Sequence, residues 1–110
     1  MKAHERLLKY VSYRTPSDEN SETSPSSQCQ FSLAHALVEE LKKLGVEDAA
    51  CDEYCYVYGH IPATPGKEHV TAIGFCSHMD TVRDYCDHDA NPQIIENYDG
   101  RVVKLGDSGL

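Results

Sequence analysis

Along the chain, apolar residues fall first at helical spacing, then in alternation, then in an unbroken run. In residues 1–13, Leu7, Leu8 and Val11 recur at helical intervals with Tyr10 beside them, while Lys2, Glu5, Arg6 and Lys9 take the other face. This predicts an amphipathic helix. Thr15 precedes Pro16 and is biased away from helical backbone, so the helix stops there. Residues 16–27, PSDENSETSPSS, predict a solvated polar loop with no means of burying anything. A second helix is predicted from Ser27 to Leu44. Ser27 and Gln30 suit a capping box, and Phe31, Ala34, Leu37, Val38, Leu41 and Leu44 form its apolar stripe. Glu39 lies four residues before Lys43, the favourable order for an ion pair, and Gly45 is the expected residue just past the end.

The period then changes. From Val46 to Ile61, Tyr54, Tyr56 and Tyr58 alternate with Cys55, Val57 and Gly59, predicting a strand with one aromatic face and one small-residue face. Residues 62–67, PATPGK, have turn composition and could join this strand to the next as a long hairpin. That next segment, Val70–Ser77, is apolar, small or β-branched almost throughout and shows no alternation, the pattern of a strand buried on both faces. Beyond Thr81 the chain is polar. Residues 83–93 predict a loop, Ile94 and Ile95 start a short element, Asn97–Gly100 is turn chemistry, and Val102-Val103 is a brief strand. Together these elements predict an α/β fold, with two helices laid on a mixed β-sheet.

His78 and Asp80 stand where the apolar run turns polar. In extended backbone, residues two apart point to the same side, and the carboxyl ends of buried strands are where α/β sheets place their sites. An imidazole suits zinc, and a carboxylate on its other ring nitrogen fixes the tautomer and raises ligand basicity. The alternative is a histidine and an aspartate satisfied by local backbone. The tripeptide alone is too short to choose, and the metal reading requires the ring to be aimed into a cleft.

Bulk properties narrow the field. The chain has 110 residues, 40% hydrophobic and 25% charged, which suits one soluble domain or part of a larger one. A net charge of −8 argues against nucleic-acid and anionic-membrane partners. No apolar run approaches the roughly 20 residues of a membrane span, and the opening MKAHERLLKYV lacks the features of a signal peptide. A cytoplasmic location is expected. The five cysteines form no even framework, so reduced thiols are expected. Cys51-x-x-x-Cys55, Cys76-x-His78 and Cys86-x-His88 raise a structural zinc module as an alternative, although their spacing fits none of the usual patterns. Ser77 and His78, adjacent in a strand, point to opposite faces and make no serine triad.

Longer stretches are more specific than any of these. ERLLKYVSYRTPSDE, LAHALVEELKKLGVED, IGFCSHMDT and PQIIENYDG occur in that order. Together they resemble the peptidase T family, tripeptide aminopeptidases of the dizinc aminoacylase and carboxypeptidase superfamily. The resemblance implies that residues 1–110 are the amino-terminal part of a zinc-exopeptidase catalytic domain, acting on tripeptides with two Zn²⁺ ions in the complete enzyme. It implies that His78 binds one zinc and that Asp80 is the catalytic residue supporting it. The family's other ligands and its general base would lie beyond residue 110, so this chain alone is expected to be inactive. Cys55 stands where the family usually has a turn glycine, and Cys76 and Ser77 where an aliphatic residue and alanine are expected. The rival to the peptidase reading is a small non-catalytic α/β fragment or a Cys/His zinc module.

Overall fold

The computed structural model describes residues 1–86 and 90–106. In chain order the elements are α1 (Ala3–Val11), α2 (Gln30–Lys43), β1 (Ala50–Cys51), β2 (Val57–Tyr58) and α3 (Arg83–Cys86). Two main helices and one small antiparallel sheet make an α/β arrangement, in place of the larger mixed sheet expected.

The first helix forms where the heptad-like spacing placed it. The Glu5 carboxylate accepts the backbone N–H of Lys2 at 2.7 Å, satisfying one of the free donors at the helix start. Its packing reverses the expectation, because no residue of α1 is buried and Leu7 is 60% exposed. The contact with α2 runs instead through the charged face. Arg6 Nε and Lys9 Nζ both reach the Glu40 carboxylate, at 2.6 and 2.9 Å. The long stems of arginine and lysine can lie along a neighbouring helix while their heads bracket one acid.

The polar loop is not wholly solvated, as Thr15, Pro16 and Pro25 are buried. Small and rigid residues let this strip lie against residues 80–83, and Arg83 Nη1 adds an ion pair to Asp18 at 3.2 Å.

Helix α2 starts at Gln30, three residues later than predicted, and carries no side-chain cap. Backbone turns lead into it instead, with the N–H groups of Gln30, Phe31 and Ser32 donating to the carbonyls of Ser27, Gln28 and Cys29. The buried set is Gln30, Leu33, Ala34 and Val38, so Leu33 joins the core and Leu44, at 60% exposed, leaves it. Ion pairing on this helix runs through Glu40, not Glu39. Its end is as expected. Gly45 sits at φ +94°; its N–H donates to Lys42 O and that of Val46 to Leu41 O, both at 3.0 Å. These bonds make a Schellman cap, and Leu41 packs against Val46 in the usual apolar contact.

The predicted tyrosine strand is two short strands folded on each other. Cys51 pairs with Val57 and Ala50 with Tyr58 in an antiparallel ladder. One carboxylate explains the break: Asp52 accepts the N–H groups of Tyr54 and Tyr56, at 3.0 and 2.9 Å, and pulls the chain into a turn. Cys55 closes it at φ +67°. Val38, Val46 and Ala49 form the small core, with Leu41, Cys51 and Val57 packed on it. Gly59 completes that packing, since a Cβ there would meet Val46 Cγ1 at 2.7 Å.

Residues 70–77 form no strand. Val70, Ile73 and Phe75 are 59, 80 and 97% exposed. A strand covered on both faces needs ladder partners and layers on each side. The sheet among the described residues is two residues deep, and supplies neither. The long hairpin through residues 62–67 is therefore absent, although the turn itself forms: Gly66 has φ +80°, and Lys67 N–H donates to Thr64 O at 2.9 Å. Within the predicted loop of residues 83–93, residues 83–86 make one helical turn, α3. Ile94, Ile95, Val102 and Val103 lie outside regular structure and are exposed. Asn97, at φ +52°, and Gly100, at +88°, bear out the turn. The GDSGL terminus, from Asp107 on, lies outside the described residues.

Candidate functional site

The segment His78–Thr81 is held by a clamp that the sequence reading did not anticipate. Pro16 and Thr81 form a parallel bridge. Ser17 N–H donates to Thr81 O, and Thr81 N–H to Thr15 O, each at 3.0 Å. In a parallel bridge the flanking residues supply the bonds, so proline occupies a position whose missing N–H costs nothing. Thr15 and Thr81 add a hydroxyl–hydroxyl contact at 3.4 Å. From the first turn of α2, the buried Gln30 donates Nε2–H to Pro16 O at 3.4 Å. The extended bias of a residue before proline was the available signal for this strip. Its partner 66 residues away carried none.

On this clamp His78 and Asp80 meet, as their spacing predicted. His78 Nδ1 lies 3.0 Å from both Asp80 Oδ1 and the Asp80 carbonyl oxygen. Both partners are acceptors when the carboxyl is ionised, so the network assigns the neutral ring's hydrogen to Nδ1 and leaves the Nε2 lone pair free for a ligand. The Ser17 hydroxyl donates to the second carboxylate oxygen, Asp80 Oδ2. Asp80 is held below its usual carboxylate value, chiefly by this hydroxyl; burial opposes the shift, and His78 lowers it further. The ionised acceptor that the tautomer requires is thus maintained.

The surroundings differ from the expected covered strand end, and the described residues do not enclose the ring in the cleft that the metal reading asks for. The His78 side chain is 84% exposed. It stands at a groove of about 1070 Å³ that is also lined by Leu37, Leu41, Tyr54, Tyr56 and Asp80. Its lining comes mainly from α2, from residues 54–58 and from residues 75–80.

The donor set fits zinc at one position. A neutral imidazole backed by a carboxylate is a standard zinc ligand with its support. Among the described residues, no cluster of three or more His, Cys, Asp or Glu side chains could hold a metal ion. Cys51 and Cys55 are free thiols at the hairpin, Cys76 is free and exposed, and the cysteine-based zinc module finds no third ligand there. Burial pushes the Cys55 thiol up to about 11 and raises Cys51 as well, which disfavours the thiolates that zinc needs. His88 lies outside the described residues. No helix among the described residues is long and apolar enough to cross a membrane.

No protein-family model matches the chain. Curated proteins do. It is 49% identical over 102 residues to the peptidase T of Alkaliphilus oremlandii, covering 92% of this chain and 25% of that protein. It is 46% identical over 104 residues to the peptidase T of Bacillus licheniformis, and 49% identical over 104 residues to that of Caldanaerobacter subterraneus subsp. tengcongensis. Each of these two matches covers 94% of this chain and 25% of the relative. By sequence, then, the chain is similar to curated peptidase T proteins over nearly all of its own length, and spans about a quarter of the length of the relatives it matches.

Proposed function

We propose that these residues serve a zinc-dependent aminopeptidase that removes the amino-terminal residue from tripeptides, as part of its catalytic domain. The observation that carries this reading is the His78–Asp80 pair, with Nδ1 engaged at 3.0 Å and Nε2 left as the free donor atom. In this reading His78 holds one of two zinc ions through Nε2, and Asp80 fixes the ring. Bound zinc supplies a Lewis acid for the scissile carbonyl and a water of lowered pKa. The groove wall of Leu37, Leu41 and the tyrosines offers an apolar surface for a peptide side chain. A catalytic zinc needs about three protein ligands, so further ligands come from sequence that the longer relatives possess, and the 110-residue chain by itself does not turn over tripeptides. A cytoplasmic setting agrees with reduced thiols.

A chimera tests this. Residues 1–110 replace the matching quarter of the Alkaliphilus oremlandii relative. The product is expected to hydrolyse tripeptides, to lose activity to a chelator and to regain it with Zn²⁺. Asp80→Asn lowers zinc affinity or activity about 10–100-fold, and His78→Ala loses activity beyond that. Full chelator-sensitive turnover with alanine at position 78 rules the reading out.

A further inference from the structure

We infer that Ser17 is a positioning residue for the His78 site: through Asp80 it sets which imidazole nitrogen is free to bind. The inference rests on the proposed role of His78 and extends it to a residue outside the HMDT segment. A carboxylate that touches the ring through one oxygen can swing about its own side-chain bonds, and the ring with it. Here the second oxygen is taken by the Ser17 hydroxyl, so Asp80 is held from both sides. Ser17 is itself fixed. Its N–H is bonded to Thr81 O at 3.0 Å, its neighbours Thr15 and Pro16 are buried, and Gln30 anchors Pro16 O. A continuous line of hydrogen bonds therefore runs from the start of α2, through Pro16 and Ser17, to Asp80 and His78 Nδ1. The reach from α2 to the ring gives the polar strip after α1 a task in the site, which its composition did not reveal.

The experiment reads the ring directly. Imidazole ¹⁵N shifts of His78 are recorded in the labelled 110-residue chain at pH about 8.5, above the ordinary histidine range. Parent protein is expected to show the Nδ1–H tautomer. Ser17→Ala is expected to lose that preference, with both nitrogen shifts moving toward an averaged value, and Ser17→Thr, which keeps the hydroxyl, to restore it. Hydrogen-exchange protection of the Thr81 amide, whose acceptor is Thr15 O, is expected to survive Ser17→Ala. Unchanged ring shifts in Ser17→Ala overturn the inference. So does loss of Thr81 protection in that variant, which makes Ser17 a backbone clamp with no aiming role. An averaged or Nε2–H ring already present in the parent removes the zinc-ligand reading itself, a result distinct from either.

Discussion

Cys55 shows how one residue type can work against its position. At φ +67° it closes the Asp52 turn in left-handed backbone, the place where glycine is otherwise found in a three-residue hairpin loop. A non-glycine residue there costs about 1–2 kcal/mol. The burial of its thiol, at 4% exposed, works in the opposite direction. Cys55→Gly is therefore expected to leave stability within about 1 kcal/mol of the parent, because relieved strain offsets lost burial. Cys55→Val adds a β-branch in left-handed backbone and is expected to destabilise by roughly 1–3 kcal/mol. Urea denaturation followed by circular dichroism compares them; equal midpoints for the valine and glycine variants would count against a strained turn. The resemblance had marked this position as a departure from glycine, and the backbone shows what that departure entails. The contact between His78 and Asp80 was legible in the same way, since a two-residue spacing is a local property. The Ser17–Asp80 contact was not: its partners are 63 residues apart, and serine in a polar stretch reads as solvent-facing.

Among the elements, α1 is held to the rest of the chain in an unusual manner. None of its residues is buried, and Glu40 on α2 bridges Arg6 and Lys9. That carboxyl is held down to about 2, chiefly by Lys9 and then by Arg6 and Tyr10. A folded-state value below the unfolded one, 4.5 here, means stabilisation that is complete above the unfolded value and lost as pH falls through the folded one. The docking of α1 is expected to weaken progressively from about pH 4.5 down to about 2. Glu40→Gln should abolish that dependence and speed amide exchange in residues 3–11 at neutral pH, while α2 keeps its protection. Unaltered α1 exchange in the variant would show that other contacts hold the helix. Helix existence was legible because the 3.6-residue period is local and strong, and so was the Gly45 cap. Which face α1 turned inward was not legible. A stripe of Leu7, Leu8 and Val11 buries itself only against an apolar partner, and α2 offers a carboxylate there. The Tyr54–Tyr58 alternation misled for a related reason, since a side-chain acceptor at Asp52 outweighed strand propensity.

At the scale of the whole molecule, the dimensions say that this chain covers little of its own apolar surface. Its radius of gyration is 17.7 Å, whereas a compact domain of about 100 residues has about 13 Å. Buried hydrophobics number six among the described residues, and the segment that reads as the best core strand, Val70–Ser77, is exposed throughout. The run VTAIGFCS combines β-branched and aromatic residues with no charge and no proline. Unpaired backbone of this composition is a template for another strand. The relatives extend well beyond the matched quarter, and under the proposed function that added sequence supplies the strands that cover residues 70–77. Alone, the chain is expected to self-associate through this segment at concentrations on the order of tens of micromolar. The double substitution Ile73→Lys, Phe75→Lys places two like charges on the exposed run and is expected to suppress association without loss of helix, because neither side chain touches the Val38–Val46–Ala49 core. Sedimentation velocity on both proteins decides it. A parent chain that sediments as a monomer throughout that range would mean that the exposed run is shielded by its own chain. Association that persists undiminished in the double variant would place the sticky surface elsewhere, with the tyrosine wall of the groove next to be tested.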